Sequence, residues 1–510
     1  MRIFKSRIEV ASKRSNWATC PTPSFYSNWD HDQEKYRFYR RLKKIGYTYV
    51  SQNRPNWFIR PLWLISAGVI LFSSISYGQT VSLVVDGIPF PNEPIDSVEH
   101  VLTEQLIHRG FFGGNMVLVE NDHHRLIYDF SYDSKMIDSI LFDSSIPIND
   151  DILEKIFSPL YRIDQSNSIQ PFGQQLQAGF SFIPKDLNIM IGRTEIDQLG
   201  AFVDFTPDFN SHFSGIIGAV QNDNKKWTYS GEIEMRLENT WRTASATDII
   251  WKRQNEKSQY TRVMHEEPYP FRLPFGVKIE YIQDFRDGNY VLNKMYGAFS
   301  VVNIAGKWYL GGNAETLSPT QKGKSIGINS FRSESFTIAL TSDNRNNRWL
   351  PTQGTYLDVS TEVGKIYKKG STFRFEMLFE KLVSLSNHLS IQMKIRNNAV
   401  HNSGGIENVH DGQMFKYGGH NSLRGYQEDI FKDDLVSIFN GNILFIPNHN
   451  IQLYPFVDLA FNYQSPFKYS RGFGFRQRTN NSILEISFGW PRDEAFAAGK
   501  VHVKFISLLD

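Results

Sequence analysis

The amino-acid sequence predicts an all-β transmembrane barrel of about 16 antiparallel strands, preceded by a small α+β module. Three observations support this prediction: apolar and polar residues alternate along most of the chain, the alternating segments are about ten residues or longer, and aromatic residues gather near their ends. Of the 510 residues 14% are aromatic, and the mean hydropathy is −0.37. So low a value excludes a bundle of membrane-spanning helices, because each such helix needs an apolar run of about 20 residues.

The N-terminal region, residues 1–78, is predicted to be an extension followed by a signal peptide. Its apolar run, residues 61–72, follows two arginines and precedes the small residues of Ser76–Gly78. A basic flank, a short apolar core and a small-residue cleavage site form the layout of a secretory signal, so we expect cleavage before Gln79. A buried core helix or a single membrane anchor is the alternative interpretation of the run.

Cysteine and charge content exclude several kinds of site. The chain has one cysteine, Cys20, which excludes an internal disulfide and a cysteine-rich zinc site. The whole chain has 55 Lys+Arg against 53 Asp+Glu, but without residues 1–78 the balance is 42 against 49, a net charge of −7. Since nucleic-acid binding requires a basic surface, we expect no nucleic-acid partner.

Residues 79–170 mix the periods of strands and helices and are predicted to form the α+β module. In chain order the pattern indicates a strand at Val81–Val85, a helix at Ser97–Ile107, a hairpin of Met116–Val119 and Arg125–Phe130, a strand at Ile137–Phe142 and a short helix at Asp150–Phe157.

From residue 171 to residue 510 helical periods give way to alternation with period two, as in Trp227–Leu237 and Phe373–Phe379. A soluble sandwich would bury the apolar face, whereas a membrane barrel turns it towards lipid and keeps a polar lumen. The length of the segments, their many charged residues and the upstream signal favour the membrane barrel. The aromatic residues expected in interfacial girdles are Trp308, Tyr309, Trp349, Tyr454, Phe461, Tyr463 and Trp490.

Two motifs are more specific than the alternation. The first contains Asp343, Arg345, Pro351 and Gly354, and by itself is typical of a turn. The second contains Gly418, Gly419, Leu423, Arg424, Gly425 and Tyr426, lies in the long gap between strands ending near Arg396 and starting near Leu435, and by itself is typical of an exposed glycine-rich loop.

Together the two motifs, in this order and followed by about five strands, resemble the BamA/TamA superfamily of outer-membrane assembly and secretion barrels, the bacterial surface antigen family. The resemblance implies a sixteen-stranded barrel whose glycine-rich loop folds back into the lumen. It also implies that the module at 79–170 is a periplasmic POTRA domain, here one unit plus a partial second.

Arg424 needs an acidic partner if it lies in the lumen, because an unpaired buried charge is costly. Along Ile451–Phe461 the apolar odd positions face lipid, which places Phe456 and Asp458 in the lumen. The resemblance assigns the partner of the arginine to this strand, in a Phe-x-Asp pattern. It also implies a second acid on the preceding strand, where this sequence has Asn442 instead.

Enzyme motifs are weak in this sequence, so we expect no catalysis, no cofactor and no metal. The nucleophile-elbow pattern of Gly323–Gly327 requires a strand–turn–helix in an α/β sheet but falls between predicted barrel strands. The histidines His123 and His124 fall in a predicted hairpin turn. His265–Glu267 falls in a proline-rich loop.

The resemblance implies a function in inserting outer-membrane proteins or translocating a polypeptide, in the outer membrane of a Gram-negative bacterium with a periplasmic N-terminal arm. The partners expected are outer-membrane lipid, unfolded outer-membrane or secreted clients and periplasmic accessory proteins. The alternatives are a two-partner-type exporter and, outside the family, a passive porin or surface adhesin. A porin needs no periplasmic arm, so the module argues against it.

Overall fold

The computed structural model describes residues 80–509, except for 91–92, 123, 185, 196–197, 222–226, 256, 369, 404–408, 463–466 and 493–498. The predicted signal peptide and Cys20, together with His123 and Tyr463, therefore lie outside the described residues. Among the described residues, no helix combines the length and the apolar character needed to cross a membrane.

The described chain begins with a small α+β unit. Its elements are β1 (Thr80–Val85), β2 (Ile88–Pro89), β3 (Glu93–Pro94), α1 (Ile95–Arg109), β4 (Gly114–Asp122) and β5 (Arg125–Tyr132). The sheet order is β2-β1-β5-β4, with β1 parallel to β5. Helix α1 ends at Gly110, whose φ of +70° is a left-handed conformation that glycine adopts readily.

A second unit follows with the same connectivity. Its elements are β6 (Ser139–Phe142), α2 (Asp150–Phe157), 3₁₀ turns at Ser158–Arg162 and Ser166–Ser168, α3 (Ile169–Gly179), β7 (Asn188–Glu195) and β8 (Gln198–Asp204). The sheet order is β6-β8-β7, and β6 is parallel to β8, as β1 is to β5. The second unit is therefore complete rather than partial.

The predicted boundary at residue 170 falls inside α3 and is wrong. Residues 171–204 complete the second unit, and their side chains Phe172, Leu176 and Ile189 share its buried core with Phe157. Two features hid this from the sequence. Helix α3 contains Pro171 and glycines, which weaken a helical pattern, and β7 and β8 lead into the barrel strands with no helix between them.

The barrel begins at residue 212 and closes after sixteen antiparallel strands, which confirms the predicted fold class. The strands are β9 (His212–Gln221), β10 (Trp227–Glu238), β11 (Ala246–Asn255), β12 (Ser258–Glu267), β13 (Gly276–Arg286), β14 (Tyr290–Asn303), β15 (Gly306–Pro319), β16 (Phe331–Asp343), β17 (Gly354–Ile366), β18 (Gly370–Ser386), β19 (Leu389–Asn402), β22 (Leu435–Asn448), β23 (Ile451–Asn462), β24 (Lys468–Arg478), β25 (Ser482–Pro491) and β26 (Lys500–Leu508). A short helix, α4 (Gln321–Ser325), lies between β15 and β16, and the short strands β20 (Phe415–Tyr417) and β21 (Phe431–Asp433) pair with each other between β19 and β22.

The alternation of the sequence sorts side chains between lipid and lumen. On β14 the apolar side chains of Met295, Phe299 and Val301 point outward and are exposed, which suits a lipid-facing surface. Lys294, which precedes Met295, points inward, and its Nζ lies 3.2 Å from Oε1 of Glu362. Ion pairs of this kind make the lumen polar.

Some of the aromatic residues expected in girdles lie elsewhere. Phe461 is exposed on the outer surface, as a girdle residue would be. Tyr309 and Tyr454 point inward instead, where their hydroxyls donate to Glu266 and Glu485. Because successive strand residues face opposite sides, Trp308 and Tyr309 cannot both face lipid.

The second α+β unit packs against one mouth of the barrel. Gly179, at the end of α3, lies so close to Val302 that a Cβ there would be 2.2 Å from the nearest Val302 methyl carbon. Phe180 and Phe182 of the same unit contact Tyr269 and Phe209. The connections 239–245, 268–275, 304–305 and 344–353 lie at this arm-side mouth, and the long connection 403–434 starts and ends at the opposite one.

We expect the chain from Gln79 onward to be a heat-modifiable barrel. A closed ladder of strands satisfies its backbone hydrogen bonds internally and resists detergent until it is heated. Unheated and boiled samples should therefore migrate differently on a denaturing gel. Identical migration, together with a circular dichroism spectrum dominated by helix, would contradict the fold.

Candidate functional site: the lumen loop and the cross-mouth turn

The connection between β19 and β22, residues 403–434, contains a hairpin of β20 and β21 that folds back into the barrel; we call this hairpin, residues 415–433, the lumen loop. Its tip is buried inside: Leu423 is 0% exposed and Arg424 is 5% exposed. Apolar side chains of the loop and of the wall form one buried cluster, which contains Phe415, Tyr417, Leu423, Val436, Ile438 and Ala460. The loop is therefore packed as a core, not suspended in solvent.

Glycines in the tip allow its tight path. Gly418 and Gly419 have φ values of +121° and +84°, and Gly425 has +89°, a range that other residues rarely adopt. A Cβ on Gly425 would lie 2.9 Å from the backbone carbonyl carbon of Gly489 on β25. Glycine at this position lets the loop backbone touch the barrel wall directly.

Arg424 is bound to Asp458 of β23 by three hydrogen bonds. Its Nη2 donates to Oδ1 at 2.6 Å, its Nε donates to Oδ2 at 2.9 Å, and its backbone N–H donates to the same Oδ2 at 2.9 Å. The side chains of both residues are nearly or wholly buried. This two-pronged, charge-assisted arrangement is among the stronger polar interactions available to a protein.

The guanidinium of Arg424 also lies over an aromatic face. Its Cζ is 3.6 Å from the ring centroid of Phe456, close enough for a favourable cation–π interaction. Leu453 and Val457 of the same strand are exposed on the outer surface, whereas Phe456 and Asp458 are buried. The structure thus places Phe456 and Asp458 on the lumen side of β23 and brings both to Arg424.

Asn442 of β22 supplies a neutral acceptor where the family resemblance implies an acid. Its Oδ1 accepts from Arg424 Nη2 at 2.8 Å, and its Nδ2 donates to Gln392 Oε1 at 2.7 Å. A carboxylate could accept from the arginine but could not donate onward. The amide therefore extends the hydrogen-bond network from the loop tip along the wall.

The network continues from Gln392 to the first motif. Gln392 Nε2 donates to Glu380 Oε1 at 2.9 Å, and Glu380 Oε2 lies 3.5 Å from Arg345 Nη1. Arg345 in turn donates from Nε and Nη2 to the two carboxylate oxygens of Asp343, at 2.9 and 2.7 Å. A continuous chain of polar contacts, which we call the polar relay, thus joins the two motifs. It crosses the neighbouring strands β22, β19 and β18 and ends in the turn that connects β16 and β17.

The first motif forms a turn at the arm-side mouth; we call residues 344–353 the cross-mouth turn. Gly354 at its end has a φ of +112°, and a Cβ there would be 2.3 Å from the carbonyl oxygen of Asn344. The carbonyl oxygen of Pro351 accepts from Gln452 Nε2 at 3.1 Å. Gln452 lies on β23, the strand that also carries Asp458.

Tyr426 and Tyr417 fix the sides of the lumen loop. The Tyr426 hydroxyl donates to the carbonyl oxygen of Tyr469 at 3.3 Å. The Tyr417 hydroxyl donates to Asp433 Oδ2 at 2.6 Å. Tyr417 is buried, so this hydrogen bond is shielded from water.

The loop tip also contacts the last strand of the barrel. The backbone N–H of Gly425 donates to Nε2 of His502 on β26 at 3.3 Å. His420 Nε2 lies 3.4 Å from Glu485 Oε2 on β25. Neither contact could be inferred from the motif, because no sequence signal pairs these residues with one another.

The residues considered for catalysis or metal binding are dispersed. His265 points outward and its ring meets that of Trp241 edge-on, while Glu266 points inward to Lys307. Ser325 ends the short helix α4 and donates to the carbonyl oxygen of Lys322. Within the described ranges no group of three or more His, Cys, Asp or Glu side chains is arranged to hold a metal ion.

Comparison with known families decides the identity of the barrel. A family model described as the Omp85 superfamily domain matches residues 224–495, more than half of the chain. The chain belongs to the Omp85 superfamily. The matched region contains both motifs, and the resemblance to BamA/TamA-type barrels is confirmed.

Two solved structures share the fold of this chain at low sequence identity. CdiB from Escherichia coli has a TM-score of 0.55 at 12% identity, covering 96% of this chain and 100% of that chain. CdiB from Acinetobacter baumannii has a TM-score of 0.52 at 12% identity, covering 95% and 100%. BamA from Haemophilus ducreyi lacking POTRA domains 1–3 has a TM-score of 0.44 at 15% identity, covering 82% and 94%. No curated protein matches the sequence.

Membership of the Omp85 superfamily assigns the barrel to a bacterial outer membrane and to a family of transport and insertion proteins. The two α+β units that precede the barrel are consistent with POTRA-like domains.

We expect Arg424→Lys to impair function although it keeps the charge, because lysine cannot form the two-pronged contact with Asp458. Removing one partner of a buried pair typically costs about 3–5 kcal/mol, and because both side chains are buried we expect a loss in stability of this size. Asp458→Ala should resemble Arg424→Ala, and the double variant should be less than additive.

The measurement is a double-mutant cycle on heat stability and on assembly activity. Arg332→Met is a matched control, since Arg332 pairs with Glu334 on an exposed surface. Fully additive effects of Arg424→Ala and Asp458→Ala would show that the loop is anchored by other contacts.

Proposed function

We propose that this Omp85 barrel assembles or inserts outer-membrane proteins, or moves a polypeptide across the membrane, by opening between its first and last strands. The single observation that carries the proposal is the narrow seam between β9 and β26. The lumen loop and the N-terminal α+β units also take part in the proposed function.

The seam is joined over a short stretch at the arm-side mouth. Along the described residues β26 pairs with β9 only at Ser507 and Leu508, supplemented by the Leu509 N–H, which donates to the carbonyl oxygen of Ser211. On its other side β26 pairs with β25 from Lys500 to Ser507. β9 likewise pairs with β10 along its whole length. Each seam strand is thus secured on one side and barely paired on the other.

The ion pair that spans the seam is exposed to solvent. Lys504 of β26 reaches across it to Glu234 of β10 at 3.1 Å, and both side chains are more than a quarter exposed. An ion pair this exposed contributes about 0–1 kcal/mol. Opening the seam therefore costs far less than separating any fully registered pair of strands, each of which would lose a long ladder of hydrogen bonds.

An opened seam would offer what an incoming strand needs. Unpaired backbone N–H and C=O groups at the edge of a sheet template the addition of another strand. Along the described residues, register pairing between β9 and β26 covers two positions, so an opened seam would present most of both strand edges to a client strand. This chemistry is independent of client side chains, which suits a general assembly function.

The first α+β unit supports the same role. Strand β4 lies at the edge of its sheet, and its side chains Val117, Leu118 and Val119 are all more than 40% exposed. An apolar, open strand edge suits binding of an unfolded polypeptide by strand addition. With the arm in the periplasm and the barrel surrounded by outer-membrane lipid, clients would meet this edge before they reach the seam; accessory proteins would bind there too.

A polypeptide exporter within the same family is the second candidate. The lumen is polar and lined with ion pairs, as an aqueous path for a chain would require, but the packed lumen loop occupies it. Export would require the loop to leave, which breaks the contacts of Arg424. Opening the seam does not require this, and the geometry therefore favours assembly.

The test is depletion of the protein followed by proteomics of the outer membrane. We expect many barrel proteins to fall together, because strand addition at the seam does not depend on client sequence. Expression of the wild-type chain should restore them, and a chain with Arg424→Lys should restore them less well. Loss of a single secreted protein would identify an exporter instead. Unchanged levels of both classes would overturn the proposal.

A further inference from the structure

The cross-mouth turn starts from the wall that lies opposite the seam. It joins β16 and β17, the eighth and ninth of sixteen strands, whereas the seam lies between the sixteenth and the first. Its tip nevertheless contacts residues at the base of β9 and β10. The turn therefore crosses the arm-side mouth from one wall to the other.

Arg348 makes the polar contact at the tip. Its Nη2 and Nη1 donate to the two carboxylate oxygens of Glu238, at 2.7 and 3.0 Å, and its Nη1 also donates to the carbonyl oxygen of Asp208 at 2.8 Å. The Glu238 side chain is 5% exposed and that of Arg348 is 17% exposed. A two-pronged pair this well shielded is stronger than a surface ion pair.

Glu238 also forms hydrogen bonds with the residues just before β9. Its Oε2 accepts from the backbone N–H of Asn210 at 2.8 Å, and its own backbone N–H donates to Oγ of Ser211 at 2.9 Å. Ser211 is also the residue whose carbonyl oxygen accepts from the Leu509 N–H. Glu238, through its carboxylate and its backbone N–H, thus fixes the segment that pairs with the end of β26.

Trp349 makes the second contact. Its Nε1–H donates to Asn210 Oδ1 at 2.7 Å, and its ring meets the ring of His212 edge-on with centroids 5.0 Å apart. His212 is the register partner of Leu508 in the seam. The turn therefore contacts the start of β9 at two points: Trp349 packs against His212, which pairs with the end of β26, and it donates a hydrogen bond to Asn210, two residues earlier.

The turn is stiff enough to transmit position. Oδ1 of Asn347 accepts from the backbone N–H groups of Trp349 and Leu350, and Oδ1 of Asn346 accepts from that of Thr352. At its origin Arg345 is held by Asp343 and, through Glu380, by the polar relay from Arg424. Internal hydrogen bonds of this kind limit the conformations of a loop.

We propose that the cross-mouth turn is a clasp that holds the base of the seam closed, with Arg348 and Trp349 as positioning residues for β9. This rests on the proposed function in one respect: the motion that the clasp limits is the seam opening on which assembly depends. The clasp acts on β9, while the tip of the lumen loop braces β26 through His502. Both braces meet at Arg424 by way of the polar relay.

The test is hydrogen exchange measured by mass spectrometry on the full barrel and arm, folded in lipid nanodiscs without any client. The reporter is the C-terminal peptide that carries the Leu509 amide, which donates across the seam. Exchange of such an amide follows the local opening equilibrium. In Arg348→Met we expect it to be about tenfold faster, since a shielded hydrogen bond to a charged group is commonly worth that factor.

Trp349→Phe should speed the same amide by a smaller factor, because it keeps the ring contact with His212 and loses only the donor to Asn210. Arg332→Met, on the same strand as the start of the turn, is the matched control and should leave the reporter unchanged. All variants must still show the heat shift of a closed barrel, which identifies any that fail to fold.

Two outcomes would overturn the clasp. One is wild-type exchange at the C-terminal peptide in both Arg348→Met and Trp349→Phe while the turn itself exchanges faster, which would make the turn a local structural element. The other is an equal acceleration in Arg332→Met. The exchange experiment contains no client, so it tests the clasp separately from the proposed function. If Arg348→Met speeds exchange at the C-terminal peptide but depletion of the protein leaves outer-membrane proteins unchanged, the clasp stands and the proposed function is wrong.

Discussion

The buried contact between Arg424 and Asp458 is the interaction on which the rest of the site depends. A guanidinium at the centre of a barrel must be fully paired, and here one carboxylate, one amide oxygen and one aromatic face satisfy it. The glycines of the tip, the packed sides of the lumen loop and the inward register of β23 all serve to bring this side chain to its partner. Without the pair, the loop would keep its apolar contacts but lose the feature that fixes its depth.

A barrel in which every pair of neighbouring strands is fully hydrogen-bonded has no free strand edge. In this barrel β9 and β26 are paired at two positions, whereas each is paired along its length with its other neighbour. The seam carries a short stretch of pairing at one mouth, and contacts from elsewhere hold the two strands that form it. The lumen loop contacts β26 at His502, and the cross-mouth turn contacts the start of β9 at His212. Since side chains and loops hold the seam, its opening can be controlled without disturbing the other strand ladders. The function proposed for this member of the Omp85 superfamily depends on this arrangement, in which loop contacts hold the seam while the other strand ladders hold the barrel.

Much of this architecture could be predicted from the sequence, and the failures have identifiable causes. Alternation along β23 was enough to place Asp458 in the lumen, because side-chain direction in a strand has a period of two. The domain boundary at residue 170 was wrong because β7 and β8, which belong to the second α+β unit, lead into the barrel strands with no helix between them. The contacts of Arg348 could not be predicted at all: its partner Glu238 is 110 positions away, and only the closed barrel brings the two together. The family resemblance implied an acid at the position of Asn442, and the structure shows what the amide does there: it accepts from Arg424 and donates onward to Gln392.

The most direct test of the account is a reversible lock across the seam. The chain from Gln79 onward contains no native cysteine, so cysteines introduced by Phe213→Cys and Ser507→Cys, which are register partners, would form the sole disulfide of the barrel. In depleted cells the account predicts that the oxidised variant fails to restore outer-membrane proteins and that a reductant restores them, while either single cysteine variant is active throughout. Full restoration by the oxidised variant would contradict the claim that this barrel works by opening between β9 and β26.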